Sequence, residues 1–245
     1  VNKLTLGVLL CDSIHPDRRD IDGDYPDVFT GMFRRYSPSG CEVKLRFYDV
    51  ISGQYPQRLD ECSGYLTTGA CASVNDPDPW ITDFEQFVRD LHKRECKLIA
   101  ICFGHQMIAK ALGGRVERSD RGWGVGVHEV TIHQPEPWMI PAARSFRIVL
   151  SHQDQITELP PNAEVLASTP HCPISLFRCG TLIGIQGHPE FSIPYAGALL
   201  ESRAGIIPTE TTQQAFESFA QEPDYTLLAS WMVHYLGSGA TEEPE

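Results

Sequence analysis

The sequence predicts an α/β fold: a three-layer sandwich whose central sheet is mostly parallel and carries antiparallel additions. Three observations lead there. Apolar runs of strand length alternate with segments of helical periodicity through the first half of the chain. The first run is largely apolar, as a strand buried on both faces is. In the second half, short strand-like runs follow one another closely, as antiparallel strands do.

Residues 4–11 are the first strand, and residues 17–27 a polar, aspartate-rich loop. Residues 29–36 read as helix. Residues 41–50 alternate, with Val43, Leu45 and Phe47 on one face of a second strand. Residues 64–68 form a third strand ending in Thr68-Gly69-Ala70. Over residues 80–94, Trp80, Ile81, Phe84, Phe87, Val88 and Leu91 recur at helical spacing. A strand at 97–101 runs into a helix at 104–112, which Gly113-Gly114 stops. Runs at 124–132, 146–150, 163–167, 174–177 and 182–186 are the antiparallel additions, expected in the same sheet. Helices follow at 194–204, 212–219 and 225–235. No low-complexity linker divides the chain, so residues 1–236 are expected as one domain. Residues 237–245, rich in Gly and Glu, are expected as a disordered acidic tail.

A formal net charge of -12 makes nucleic acid and anionic membranes poor partners. The apolar N-terminal run is too short for a membrane helix and lacks the features of a signal peptide. The eight cysteines include no Cys-x-x-Cys pair, which disfavours structural zinc. The chain is long for a disulfide-stapled scaffold, so reduced thiols and a cytoplasmic location are the expectation. Asp20-Ile21-Asp22-Gly23-Asp24 hints at a calcium loop, but Tyr25 stands where that loop needs glycine and Gly31 where it needs glutamate. No metal site is expected. No Gly-x-x-x-x-Gly-Lys-Ser/Thr run is present, so nothing supports a nucleoside-triphosphate site.

The chemistry concentrates at Ile101-Cys102-Phe103-Gly104-His105-Gln106 and at Gly187-His188-Pro189-Glu190-Phe191. A strand that turns sharply into a helix pushes out the side chain at the turn, where it can act as a nucleophile. A cysteine there is activated by the helix N-terminus and by a nearby histidine. His188 offers the proton shuttle. Glu190, two residues on and so on the same side of an extended chain, offers a carboxylate to orient it. The Phe103 amide and the Thr68-Gly69-Ala70 strand end offer oxyanion donors. A buried cysteine or histidine alone belongs to a core more often than to a site; the conjunction is what points to covalent acyl chemistry.

These two motifs, in this order, resemble the class I (triad) glutamine amidotransferases, especially the stand-alone branch related to the amidotransferase domain of GMP synthetase, which includes the γ-glutamyl peptidases. The resemblance spans about residues 4–195. It implies a flavodoxin-like fold with the site at the C-terminal ends of the strands. Cys102, His188 and Glu190 would be the catalytic triad, with Gly69 and Phe103 lining the oxyanion hole. Gln106 would contact the substrate. Ser151, His152, Gln153 and Asp154 match the family's Ser-His-x-Asp segment, whose backbone holds the substrate's α-amino and α-carboxylate groups. Three positions depart from the family: Ala100 for a glycine, Ala70 for a second glycine, and Gly122 for a frequent glutamate. The implied reaction is hydrolysis of a glutamine or γ-glutamyl amide through a γ-glutamyl thioester, with no cofactor. No synthetase domain fits after Leu236, which leaves a free-standing hydrolase, a glutaminase subunit with a separate synthetase partner, or a silent binding protein on the same fold.

Overall fold

The structure is a computed structural model and describes residues 2–238. In chain order, β1 (Asn2–Leu10) leads through a 3-10 turn to α1 (Arg19–Asp22) and α2 (Tyr25–Tyr36). Then come β2 (Cys41–Asp49), β3 (Gly64–Thr67), α3 (Pro79–Lys93), β4 (Leu98–Ile101) and α4 (Phe103–Ala111). Strands β5 (Arg115–Arg118), β6 (Gly124–Ile132), β7 (Ser145–His152), β8 (Asp154–Glu158), β9 (Glu164–Ser168), β10 (Leu176–Cys179) and β11 (Leu182–Ile185) follow. Helices α5 (Ile193–Glu201), α6 (Thr209–Ser218) and α7 (Tyr225–Gly237) complete the fold.

Nine strands form one sheet in the order β2-β1-β3-β4-β11-β10-β9-β6-β7. The half from β2 to β11 is parallel, and β10, β9, β6 and β7 continue it by antiparallel pairing. Period-2 alternation divides the parallel half between two cores. On β4, Ile99 and Ile101 face a core shared with Phe29, Met32, Trp231 and Leu236 of α2 and α7. Leu98 and Ala100 face the opposite core, with Ile81, Phe84, Val88 and Met107 of α3 and α4. The β4 strand is therefore apolar throughout because helices cover both its faces.

Three sequence expectations need correction. Residues 17–27 are not simply a loop: they hold α1 and the start of α2, whose N-cap Asp24 accepts hydrogen bonds from the Ile14 and Tyr25 amides at 2.8 Å. Capping residues are polar, so a helix start there reads as loop. Strands β5 and β8 were not expected, and they pair with each other outside the main sheet. Three of the four β5 residues are exposed, which removes the apolar alternation that marks a strand. Finally, Gly237 is the last residue of α7, not part of a tail. Residues 239–245 lie outside the described residues.

Candidate active site

The backbone of Cys102 has φ 48° and ψ -96°. That is a strained conformation for a residue with a Cβ, and such strain persists only where the surroundings enforce it. Strands on both sides do so. The Cys102 amide donates to Ile185 O on β11 at 2.9 Å. The Ile101 amide donates to Thr67 Oγ1 on β3, also at 2.9 Å. Helix α4 begins immediately, and its ladder opens with the Gln106 amide donating to Cys102 O. The amides of Phe103, Gly104 and His105 thus have no partner within the helix.

His188 follows β11 and is pinned to β7, where its amide donates to Val149 O at 2.8 Å. Its Nδ1 lies 2.8 Å from Glu190 Oε1, with both side chains buried. The ring stacks on Phe191, centroids 4.0 Å apart and planes 6° from parallel, and Phe191 in turn packs edge-on against Tyr195. Imidazole orientation is thus set by a carboxylate at its edge and an aromatic face against its plane. Burial pulls the imidazole's pKa down, but the Glu190 carboxylate and the Cys102 sulfur outweigh burial and hold it up at about 10.

Gly69 sits directly over this pair. A Cβ built on it would lie 2.7 Å from His188 Cε1 and 3.5 Å from Cys102 Cβ. The Gly69 and Phe103 backbones therefore flank Cys102 from β3 and from α4. The segment 151–154 bridges the two sheets, ending β7 and opening β8. Ser151 Oγ accepts from Arg203 Nη1 at 2.6 Å, and Asp154 Oδ2 accepts from Ser73 Oγ at 2.7 Å. Gln153 Oε1 pairs with Arg118, and its side chain points along the second sheet. His152 is buried, and neither ring nitrogen has a hydrogen-bond partner in the protein. Burial, together with the neighbouring histidines His171 and His105, holds its pKa well below the usual value. Gln106 is also buried, and its amide nitrogen donates to Asp154 O at 2.8 Å and Gln186 Oε1 at 3.1 Å. These contacts make it a brace between α4 and the 151–154 segment.

The family model of class-I glutamine amidotransferases matches residues 25–203. The chain belongs to that family. This class-I amidotransferase is similar to γ-glutamyl peptidase 3 of Arabidopsis thaliana, 31% identical over 179 residues that cover 69% of this chain and 70% of that protein. It is 33% identical to the glutamine-hydrolysing GMP synthase of Pyrobaculum aerophilum over 133 residues, 54% of this chain and 25% of the synthase. Among solved structures, a Thermotoga maritima glutamine amidotransferase superposes with a TM-score of 0.75 at 20% identity, covering 96% of this chain and 99% of that one. The fold is flavodoxin-like, and the protein is a glutamine amidotransferase-like hydrolase.

Three residues near the amidotransferase site, Thr67, Arg203 and Gln186, stand outside the sequence expectations. Thr67 clamps the Ile101 amide, and Thr68 Oγ1 accepts from the Cys11 amide at 2.8 Å. Arg203 reaches Ser151 and lies over the Trp123 ring at 5.1 Å. Gln186, fully buried, points its amide nitrogen at Cys102 Sγ. A threonine or glutamine at a strand end carries no periodicity signal. Arg203 lies 101 residues from Cys102, and nothing local ties the two together. No helix among the described residues is long and apolar enough to cross a membrane.

Proposed function

We propose that Cys102 attacks the γ-carbonyl of a glutamine or γ-glutamyl amide. His188 takes the thiol proton and delivers it to the leaving nitrogen. The Cys102 Sγ–carbon bond forms and the amide C–N bond breaks, leaving a γ-glutamyl thioester. Water then adds to the thioester carbonyl, giving up a proton to His188; the C–S bond breaks, the γ-carboxylate of glutamate is released, and the proton held by His188 returns to the sulfur. Glu190 orients the imidazole and stabilises its charged form. The amides of Gly69 and Phe103 donate to the oxyanion. The 151–154 segment and Gln106 shape the pocket for the glutamyl end. One observation carries the reading: the 2.8 Å His188–Glu190 pair stands beside a cysteine held at positive φ.

The leaving group we favour is an amine of a γ-glutamyl peptide or conjugate. Support comes from similarity to proteins named γ-glutamyl peptidases over about two thirds of the chain or more, at 28–32% identity. Purified protein would be given a γ-glutamyl dipeptide and free glutamine in parallel. Faster release from the dipeptide is expected, with activity lost in Cys102→Ala. Unchanged activity in Cys102→Ala would overturn the mechanism. A strict preference for glutamine would replace the peptidase reading with that of an ammonia-supplying glutaminase.

A further inference from the structure

We infer that Gln186 stabilises the reactive sulfur: its side-chain amide donates a hydrogen bond to Cys102 Sγ, and Gln106 fixes which way that amide points. The inference rests on Cys102 being the nucleophile. The geometry is closed at both ends. Gln186 lies one residue beyond β11, with no solvent exposure, and its backbone amide is anchored to Ser175 O at 2.9 Å. Its Nε2 is 3.5 Å from Cys102 Sγ. A buried amide in this position has two orientations, and only one places N–H on the sulfur. The choice is made by a chain that starts at a backbone carbonyl, which can only accept. Asp154 O takes one proton of Gln106 Nε2, and the other proton goes to Gln186 Oε1. Gln186 Nε2 is thereby turned toward Cys102.

A hydrogen bond to sulfur is worth more when the sulfur is charged. Gln186, itself fully buried, therefore favours the thiolate over the thiol from the protein side of the sulfur. The same chain connects the sulfur to the 151–154 segment, so a shift of Asp154 O is felt at the nucleophile. Other titratable groups bear on the sulfur. His188 approaches from the segment after β11, with Glu190 behind it and His152 of β7 nearby, and Cys172 faces it from the loop before β10. All of these stay in place when Gln186 alone is replaced.

The test uses substrate-free protein, so that it reads the sulfur and not turnover. The rate of alkylation of Cys102 by iodoacetamide would be followed against pH, with the modified peptide identified by mass spectrometry because seven other cysteines are present. In Gln186→Met the alkylation midpoint is expected to rise by about one pH unit, with kcat/KM down roughly tenfold near neutrality. The acidic limb of the kcat/KM profile should move with the midpoint. Gln186→Glu keeps the shape and replaces the donor with an acceptor, so it should shift the midpoint the same way if the methionine variant does not fold. Gln106→Met, which frees the amide to rotate, should give a smaller shift in that direction. A folded Gln186 variant with the wild-type midpoint would overturn the inference, whatever its activity. Failure of the functional reading is told apart by Cys102→Ala, whose retained activity would leave the alkylation result standing as a statement about the sulfur alone.

Discussion

Glu190 is the residue on which the charge of His188 depends. With a neutral amide in its place, Nδ1 keeps a hydrogen-bond partner but loses the anion that offsets burial. Glu190→Gln is therefore expected to lower kcat by roughly 10²–10⁴-fold with little change in fold, checked by steady-state kinetics and circular dichroism. The same pair carries a pH signature. The pKa of His188 is raised from its ordinary value of about 6.5 to about 10, so the folded state binds the proton more tightly than the unfolded state. The stability this contributes is fully present below about pH 6.5 and is lost as pH rises through about 10. Melting temperature should fall across that window in the wild type and much less in Glu190→Gln. Equal slopes in the two proteins would show that the pair does not hold the proton.

At the scale of elements, the turn between β4 and α4 depends on how closely α4 can approach β3. A Cβ at Gly104 would stand 2.1 Å from Thr67 Oγ1 and 2.9 Å from Thr67 Cβ. Thr67 has little room to yield, because it is fully buried and its hydroxyl holds the Ile101 amide. Gly104→Ala is expected to cost about 1–3 kcal/mol in a urea titration and to lower kcat by pushing α4 away from the strand end. Wild-type stability together with wild-type kcat would mean that the approach is not needed. Ala100 shows the opposite case. It is fully buried in the α3/α4 core, where its methyl is accommodated.

Over the whole molecule, the segments that close the core extend beyond the family match at 25–203. Strand β1 pairs with both β2 and β3, so it is central to the parallel half. Helix α7 covers one face of that half with Leu228, Trp231, Met232 and Leu236. Trp231 packs edge-on against Phe146 and Trp138, and its indole N–H donates to Pro141 O at 2.8 Å. Trp231→Ala is expected to lower unfolding stability by about 3–5 kcal/mol. The midpoint of urea unfolding checks this, and a shift under about 1 kcal/mol would mean that α7 is not part of the cooperative unit.

Layer order, the parallel half of the sheet and the two short motifs that hold Cys102, His188 and Glu190 can be read from the chain alone. These are local matters. Apolar alternation sets which face a strand buries, and two residues on an extended chain share a side whatever the fold around them. The polar helix start at Asp24 and the exposed β5 strand were illegible because the same residues serve loops equally well. That Gln186 faces the sulfur, that Gln106 braces α4 against the 151–154 segment, and that Thr67 and Ile185 hold Cys102 at positive φ is visible in the folded chain alone. Each depends on contacts between residues that are 34–84 positions apart, brought together by the pairing of β3, β4 and β11 and, for Gln106, by the packing of α4 against β8. Periodicity records which way a side chain faces; the partner it meets is set by how the strands are ordered in the sheet.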